Sequence, residues 1–465
     1  MFFVVLHLAP ATLTITHVLL FKRDTRAATG WIMACLFIPY LGPIVYYLFG
    51  INRVRLRAQT LKQQLAGDHI KQALAVRPEH SPSRPQQLAG FLVSGSDITE
   101  GNHVKALYNG DQAYPQMLAA IDAARHRILL ASYIFKPDRA GQSFVDRLAA
   151  AVARGVDVRV LIDGVGEHYS FRRISTVLKK RGVRVVRFLP PRLIPPSIYI
   201  NLRNHRKLLV VDNHIAFAGG MNISEDNCEY ATRKKRIADI HFKFMGPIVP
   251  ALADLFEQDW RYTRARPRQA LADPPMRATG EQGDAGCRLI ADGPDQQIDA
   301  LELTLAAVVS TASHSILIIT PYFLPSRELI SALMSASMRG VRVSVVLPEK
   351  NNLPYMNWAS RSSLIELSQW GINIYYQPPP FSHTKLLCID QGYCFVGSAN
   401  LDPRSLRLNF ELGVEVFSES VNAELRKHAN DLINRSRLMS YQQLSDRSIL
   451  VRLRDAIAAL MTPYL

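Results

Sequence analysis

The sequence predicts an α/β protein made of two duplicated halves that share one active site, preceded by two N-terminal transmembrane helices. Three observations lead there. The stretch His205-Arg206-Lys207-Leu208-Leu209-Val210-Val211-Asp212 recurs as His383-Thr384-Lys385-Leu386-Leu387-Cys388-Ile389-Asp390, so His-x-Lys-x4-Asp occurs twice. Each copy is followed by a small pair fourteen residues after its His (Gly219-Gly220, Gly397-Ser398) and by an Asn seventeen after it (Asn222, Asn400). One copy alone is a weak signal; two with the same downstream spacing imply a duplicated unit. Around both copies, helix-like stretches ending in glycine alternate with strand-like apolar runs, the signature of an α/β layer. The third observation is a pair of uncharged runs in the first fifty residues.

Phe2–Phe21 contains no Lys, Arg, Asp or Glu. Twenty helical residues at about 1.5 Å each span a hydrocarbon layer of roughly 30 Å. After Lys22-Arg23-Asp24-Thr25-Arg26 a second uncharged run covers about 27–49, with Trp31 near its start and Tyr46-Tyr47 near its end, where an aromatic belt would sit. The first run lacks the basic start and small-residue cleavage site of a signal peptide. A buried core helix is the alternative for the second, and His7, Pro10 and His17 leave a tilted or re-entrant first segment open. Basic residues flank the second run on both sides, so the positive-inside rule gives only a slight preference for a cytoplasmic catalytic body.

The domain boundaries follow from composition. Residues 1–51 form the helix pair, and 52–100 a basic juxtamembrane helix (about 56–76) and a Pro-punctuated linker. The first α/β half is 101–262, a linker rich in Arg, Pro, Ala and Gly is 263–286, and the second half is 287–465. In the first half, helices are expected over 116–124, 144–154 and 174–181, and strands over 127–135, 156–162 and 183–188. The second half repeats the order: Tyr322 matches Tyr133 at an offset of 189, Arg339-Gly340-Val341 matches Arg154-Gly155-Val156 at 185, and the His motifs match at 178. Loop insertions in a duplicated unit produce such drift.

The formal charge of +16 and a pI near 9.7 leave nucleic acid, anionic lipid surfaces and phosphate-bearing substrates open. The five cysteines have neither CxxC spacing nor a secreted-domain pattern, so free thiols are expected. Chemistry narrows the choice. In a strand, residues i and i+2 share a face, so His205 with Lys207, and His383 with Lys385, point into a cleft. Asp212 and Asp390 fall on the other face and suit a supporting role. A turn after each Asp returns the chain so that Asn222 and Asn400 come back beside the His and Lys. Two lysines and two amides can hold a phosphate. Two histidines supply a nucleophile and an acid/base. Neither a metal nor another cofactor is needed, because the lysines neutralise the charge. Each imidazole needs a partner on its other nitrogen. Asp239 and Glu411, which follow His205 and His383 by 34 and 28 residues in similar apolar contexts, are the candidates. Single histidines such as His80, His103, His168, His214, His241 and His314 have no such support.

These residues resemble the phospholipase D superfamily, whose signature is the paired His-x-Lys-x4-Asp motif, and within it the bacterial cardiolipin synthase branch. The resemblance extends over nearly the whole chain. It includes Asn204-His205-Arg206-Lys207, Gly219-Gly220-Met221-Asn222, Thr320-Pro321-Tyr322-Phe323, Gly397 to Ser405 and the closing Thr462-Pro463-Tyr464-Leu465. Thr384, where the branch often has Ala, and Ala238, where it often has a bulkier arginine-containing phrase, depart from the pattern and bear on pocket shape. The resemblance implies transfer of a phosphatidyl group from one phosphatidylglycerol to a second, giving cardiolipin and glycerol, in a multi-pass protein of the bacterial inner membrane that contacts anionic lipid. Analogy within the superfamily favours His205 as nucleophile and His383 as acid/base. Other readings are a hydrolytic phospholipase D, a transferase using another donor or alcohol, and a non-catalytic lipid-binding scaffold. Two membrane helices make nucleic acid an awkward substrate.

Overall fold

The computed structural model describes residues 2–22, 25–38, 40–50, 85–191, 202–232, 235–263, 280–293 and 299–462. The expected juxtamembrane helix at 56–76 and most of the 263–286 linker lie outside these residues.

The strands of the first half are β1 (Thr99–Tyr108), β2 (Arg127–Ser132), β3 (Asp157–Asp163), β4 (Arg184–Phe188), β5 (Leu208–Val211), β6 (Ile215–Gly219), β7 (Ile237–Ala238) and β8 (Ile240–Met245). Those of the second are β9 (Ala285–Asp292), β10 (Ser315–Ile319), β11 (Arg342–Pro348), β12 (Asn373–Gln377), β13 (Phe381–Ser382), β14 (Leu386–Ile389), β15 (Tyr393–Gly397), β16 (Glu411–Phe417) and β17 (Arg437–Met439). Fifteen of them join into one sheet, in the order β17-β12-β11-β10-β14-β15-β16-β9-β1-β8-β6-β5-β2-β3-β4. Within each half three strands are parallel (β2-β3-β4; β10-β11-β12) and the His-motif strand pairs antiparallel to the first of them. β1 and β9 pair antiparallel at the centre and fuse the halves.

Fully buried β-branched runs such as Val158-Arg159-Val160-Leu161-Ile162 reflect helices on both faces. One face carries helices Ile248–Tyr262 and Glu419–Arg435 over a core drawn from both halves, including Phe244, Trp260, Val414 and Leu425. The opposite face has a separate core in each half, one around Phe144 and Leu148 and the other around Leu333 and Leu364.

The N-terminal segment differs from expectation. Phe2–Phe21 is a helix, but the second run is broken into Thr25–Phe37, Leu41–Val45 and a π-helical turn Tyr46–Gly50. Tyr40 adopts φ 60°, and Gly42 sits so close to Ala34 that a Cβ would lie 2.3 Å from its carbonyl oxygen. The chain folds back there, with His17 Nδ1 2.8 Å from the Tyr46 hydroxyl. Among the described residues no helix is long and apolar enough to cross a membrane.

Part of the expected linker is also ordered structure. Pro85–Ser94 is a helix seated on the second half, where Gln87 O accepts from Arg288 Nη1 at 2.7 Å and Arg288 Nε donates to Glu415 at 2.6 Å. The signal overlooked was Gln86-Gln87-Leu88-Ala89 after Pro85, a good helix start.

Candidate active site

Each motif histidine lies just ahead of its hairpin strand, β5 or β14, in chain stitched to the opposite half. His205 N donates to Phe410 O (2.9 Å), and His383 N donates to Ala238 O (2.7 Å) beside the parallel β7–β13 pair. This stitching exchanges the carboxylates. His205 Nδ1 lies 2.9 and 3.1 Å from the Glu411 oxygens, and His383 Nδ1 lies 3.0 Å from Asp239 Oδ2. The two acids are the predicted ones, but each serves the histidine of the other half. Sequence spacing had assigned them within halves. The reason for the exchange is that β7 and the start of β16 run past the opposite motif, not their own.

Glu411 is fully buried and held by the Ser398 and Ser405 hydroxyls and by Asn409 Nδ2 at 3.1 Å. Burial alone would raise its pKa; His205, Lys207 and the Ser398 bond outweigh burial and hold it at about 2. Asp239 is supported differently. A Cβ on Gly220 would lie 2.8 Å from Asp239 Oδ2 and 3.1 Å from Lys385 Cδ, so only glycine lets the two halves close here. The second half has Ser398 at the matching position, and its hydroxyl holds Glu411.

Burial lowers His205 to about 4 against the opposing pull of Glu411. Burial, reinforced by Lys385, lowers His383 to about 4 as well. Both imidazoles are neutral near pH 7, and a proton on Nδ1 shared with the carboxylate leaves Nε2 with its lone pair. Lys207 Nζ donates to His205 O and Lys385 Nζ to His383 O, each at 2.6 Å. Lys385 Nζ is also 3.0 and 3.1 Å from the His383 ring nitrogens. Burial brings Lys385 down to about 8 and Lys207 well below its usual value. Glu411 and Asp239 oppose this lowering without cancelling it, and a bound phosphate would add negative charge beside both lysines.

Asn222 and Asn400 line the same cavity, of about 570 Å³, as His205 and His383. Asn222 Oδ1 accepts from Ile134 N at 3.1 Å, and Asn400 Oδ1 is buried with no hydrogen-bond partner among the described residues. Asp212 and Asp390 are elsewhere. Asp212 accepts from the backbone N–H groups of Arg125, His126 and Arg127 at 2.8 Å, and Asp390 likewise from Ser313, His314 and Ser315 at 2.8–2.9 Å. Each fixes the start of the strand next to its own motif, away from the His-Lys pair as expected, although the turn after β5 or β14 places it there rather than strand parity.

Several contributors were overlooked. Arg206, at the free position of the first motif, is buried and bonded to Asp259, Asp292 O (2.9 Å) and Glu411 O (3.0 Å), which locks the motif to β16. Tyr133 stands edge-on to His205, with centroids 4.9 Å apart. Arg203, Arg404 and Tyr322 also line the cavity. Arg206 and Arg404 fall inside the phrases that matched, but nothing in their spacing marked a role.

The family model described as "Cardiolipin synthase, PLD-like domain" matches residues 117–260 and 305–433. The chain belongs to the cardiolipin synthase family of the phospholipase D superfamily. It is an enzyme of that superfamily, and its two α/β halves are phospholipase D-like units. A second model, "Phospholipase_D-nuclease N-terminal", matches residues 9–50. Among relatives, the major cardiolipin synthase of Bacillus subtilis is 28% identical over 456 residues, covering 96% of this chain and 95% of that one. The cardiolipin synthase of Geobacillus kaustophilus is 30% identical, covering 96% and 90%. The phosphatidylserine synthase structure of Haemophilus influenzae shares the fold, with a TM-score of 0.60 at 16% identity over 78% of this chain and 95% of that one.

Proposed function

We propose that the protein is a membrane-anchored phosphatidyltransferase that forms cardiolipin and glycerol from two molecules of phosphatidylglycerol through a phosphatidyl-histidine intermediate. The observation that carries this reading is the pair of imidazoles on one cavity, each bonded at Nδ1 to a carboxylate of the other half, with Lys207 and Lys385 beside them. The names of its relatives point to the same product.

In the first step His205 Nε2 attacks phosphorus. The bond from phosphorus to the glycerol oxygen breaks, and His383 delivers a proton to that oxygen. The substrate's own negative charge favours the protonated imidazole, which the empty cavity does not. Lys207, Lys385 and the Asn222 and Asn400 amides take the non-bridging oxygens as charge develops. Glu411, held ionised by four donors, offsets the positive charge on the phosphorylated His205 ring. In the second step His383 removes a proton from a hydroxyl of the second phosphatidylglycerol, whose oxygen displaces the imidazole.

The membrane anchor is residues 2–50, supported by the uncharged 20-residue helix Phe2–Phe21 and by Leu13, Leu20 and Phe37, which are exposed in the fold. We place the protein in the bacterial inner membrane with the catalytic body on the cytoplasmic side.

Thin-layer chromatography after incubating purified protein with phosphatidylglycerol tests the reading. Cardiolipin with free glycerol is expected; phosphatidic acid alone would make it a hydrolase, and unchanged lipid would reduce it to a scaffold. Acid-quenched trapping with labelled lipid in His205→Ala and His383→Ala assigns the nucleophile: label should be retained only in His383→Ala.

A further inference from the structure

The helix Ile449–Leu460 packs against the helix Pro354–Gln369 with its apolar side facing out. Ile449, Leu450, Leu453, Ile457 and Leu460, with Met461 just beyond, are each more than half exposed. Spacings of three and four residues put them on one face. The inward face is held by polar and small residues instead. Asp455 is buried and accepts from Arg454 at 2.6 Å and from Arg447 at 3.5 Å, the Arg454 guanidinium lies 4.5 Å from the Trp358 ring centroid, and Ala458 is buried. No other described helix between residues 85 and 448 exposes more than one large apolar side chain. An ordinary surface helix turns its apolar face to the core, and a contiguous apolar patch left outside marks an interaction surface.

The patch adjoins the mouth of the catalytic cavity. Ala458 packs in one cluster with Tyr322 and Met356, which line that cavity. Among the lining residues the exposed ones are Tyr169, Asn352 and Tyr355, so the cavity opens there. Tyr355 belongs to the helix that Ile449–Leu460 lies against. From the first half, Tyr169 leads into a fully exposed Phe171 and the exposed Arg172 and Arg173. Arg452 stands exposed on the outer helix. Basic residues set among exposed aromatic and aliphatic side chains suit an anionic lipid surface.

The size of the cavity decides between a bilayer and a second copy of the chain as the cover. About 570 Å³ holds a ligand of drug size, enough for headgroups but not for the four acyl chains of two phosphatidylglycerols. Those chains must stay in the bilayer while the headgroups reach His205 and His383, which requires the mouth to meet the membrane surface. A second copy seated on the helix would hold the mouth off the bilayer. We infer that helix Ile449–Leu460 and the loop Tyr169–Arg173 form one membrane-docking surface, which lies in the headgroup layer of an anionic bilayer and seats the cavity mouth against it. The inference rests on the proposed lipid transfer for its choice of partner.

The test uses the full-length protein in phosphatidylglycerol vesicles that contain nitroxide-labelled lipid. The five native cysteines are buried, so Leu453→Cys, Phe171→Cys and His314→Cys take a bimane label selectively. His314 is the control: its side chain is 86% exposed, at the end of β10 away from the cavity. Quenching at positions 453 and 171 should exceed that at 314 at least about threefold. Equal quenching at all three positions overturns the surface, and a cross-link between copies at Leu453→Cys without quenching assigns the helix to a dimer instead. The double variant Leu453→Glu/Ile457→Glu should turn over vesicle phosphatidylglycerol about tenfold more slowly and keep its turnover of monomeric short-chain phosphatidylglycerol. An equal loss on both substrates makes the helix structural and overturns docking, as does unchanged turnover in vesicles. If the wild-type protein is quenched as expected but converts no phosphatidylglycerol, the functional reading fails and the docking surface stands.

Discussion

A buried lysine that titrates near neutrality and two imidazoles that do not make the pH dependence of this site specific. His205 and His383 sit at about 4 and Lys385 at about 8 in the empty cavity. Catalysis needs a neutral imidazole to attack and a charged lysine to hold phosphate. His383 must also carry the proton it delivers, so kcat/KM, which reports the free enzyme, should fall as pH rises above about 4 and fall more steeply beyond about 8, where Lys385 loses its charge. Lys385→Arg keeps its charge, so its alkaline limb should move up by at least one pH unit. An unmoved limb would mean that another group sets it. The residue types themselves were legible in the sequence: all ten candidates were named from spacing, because His-x-Lys and the trailing Asn recur at one spacing around a hairpin in each half.

At the scale of the element, the two aspartates illustrate how a motif can mix chemistry with construction. Asp212 and Asp390 follow hairpin strands and adopt φ 51° and 47°, which lets each carboxylate reach back to three backbone N–H groups of the adjacent strand. Asp212→Ala should cost about 1–3 kcal/mol, since charge-assisted bonds are lost and water replaces only part of them. The check is a lower denaturation midpoint with kcat nearly retained in the folded fraction; a collapse of kcat at unchanged stability would move Asp212 into the chemistry. Strand and helix order was also readable, but register was not. The matched tyrosines suggested an offset of 189, whereas the hydrogen bonds pair Phe135 with Phe323 and Arg127 with Ser315, an offset of 188. Tyr322 thus corresponds to Ile134, and the Tyr133 that stands against His205 has Pro321 as its counterpart. Periodicity of two tolerates no such slip, but identity of side chain can mislead it.

The whole molecule is a single sheet whose halves complete each other. Each imidazole takes its carboxylate from the opposite half of the same chain, so the two halves of the site belong to one molecule. Mixing His205→Ala protein with His383→Ala protein should leave transfer at background. Recovery toward a quarter of wild-type activity would show instead that copies exchange halves. The N-terminal segment is where composition misled most. The second uncharged run is long enough for one span, but Pro39, Gly42 and Pro43 in its sequence argue against a continuous helix, and the chain turns at Tyr40.

The sequence by itself determined the duplication, the motif residues, the α/β class and the separate placement of His-Lys and Asp, because each is written in spacing along a local stretch of chain. Only the tertiary structure decided which acid serves which histidine. Glu411 lies 206 residues from His205, and Asp239 lies 144 from His383. Pairing at that range is set by the β1–β9 join and by the strand segments that cross between halves, and covalent order carries no signal of it.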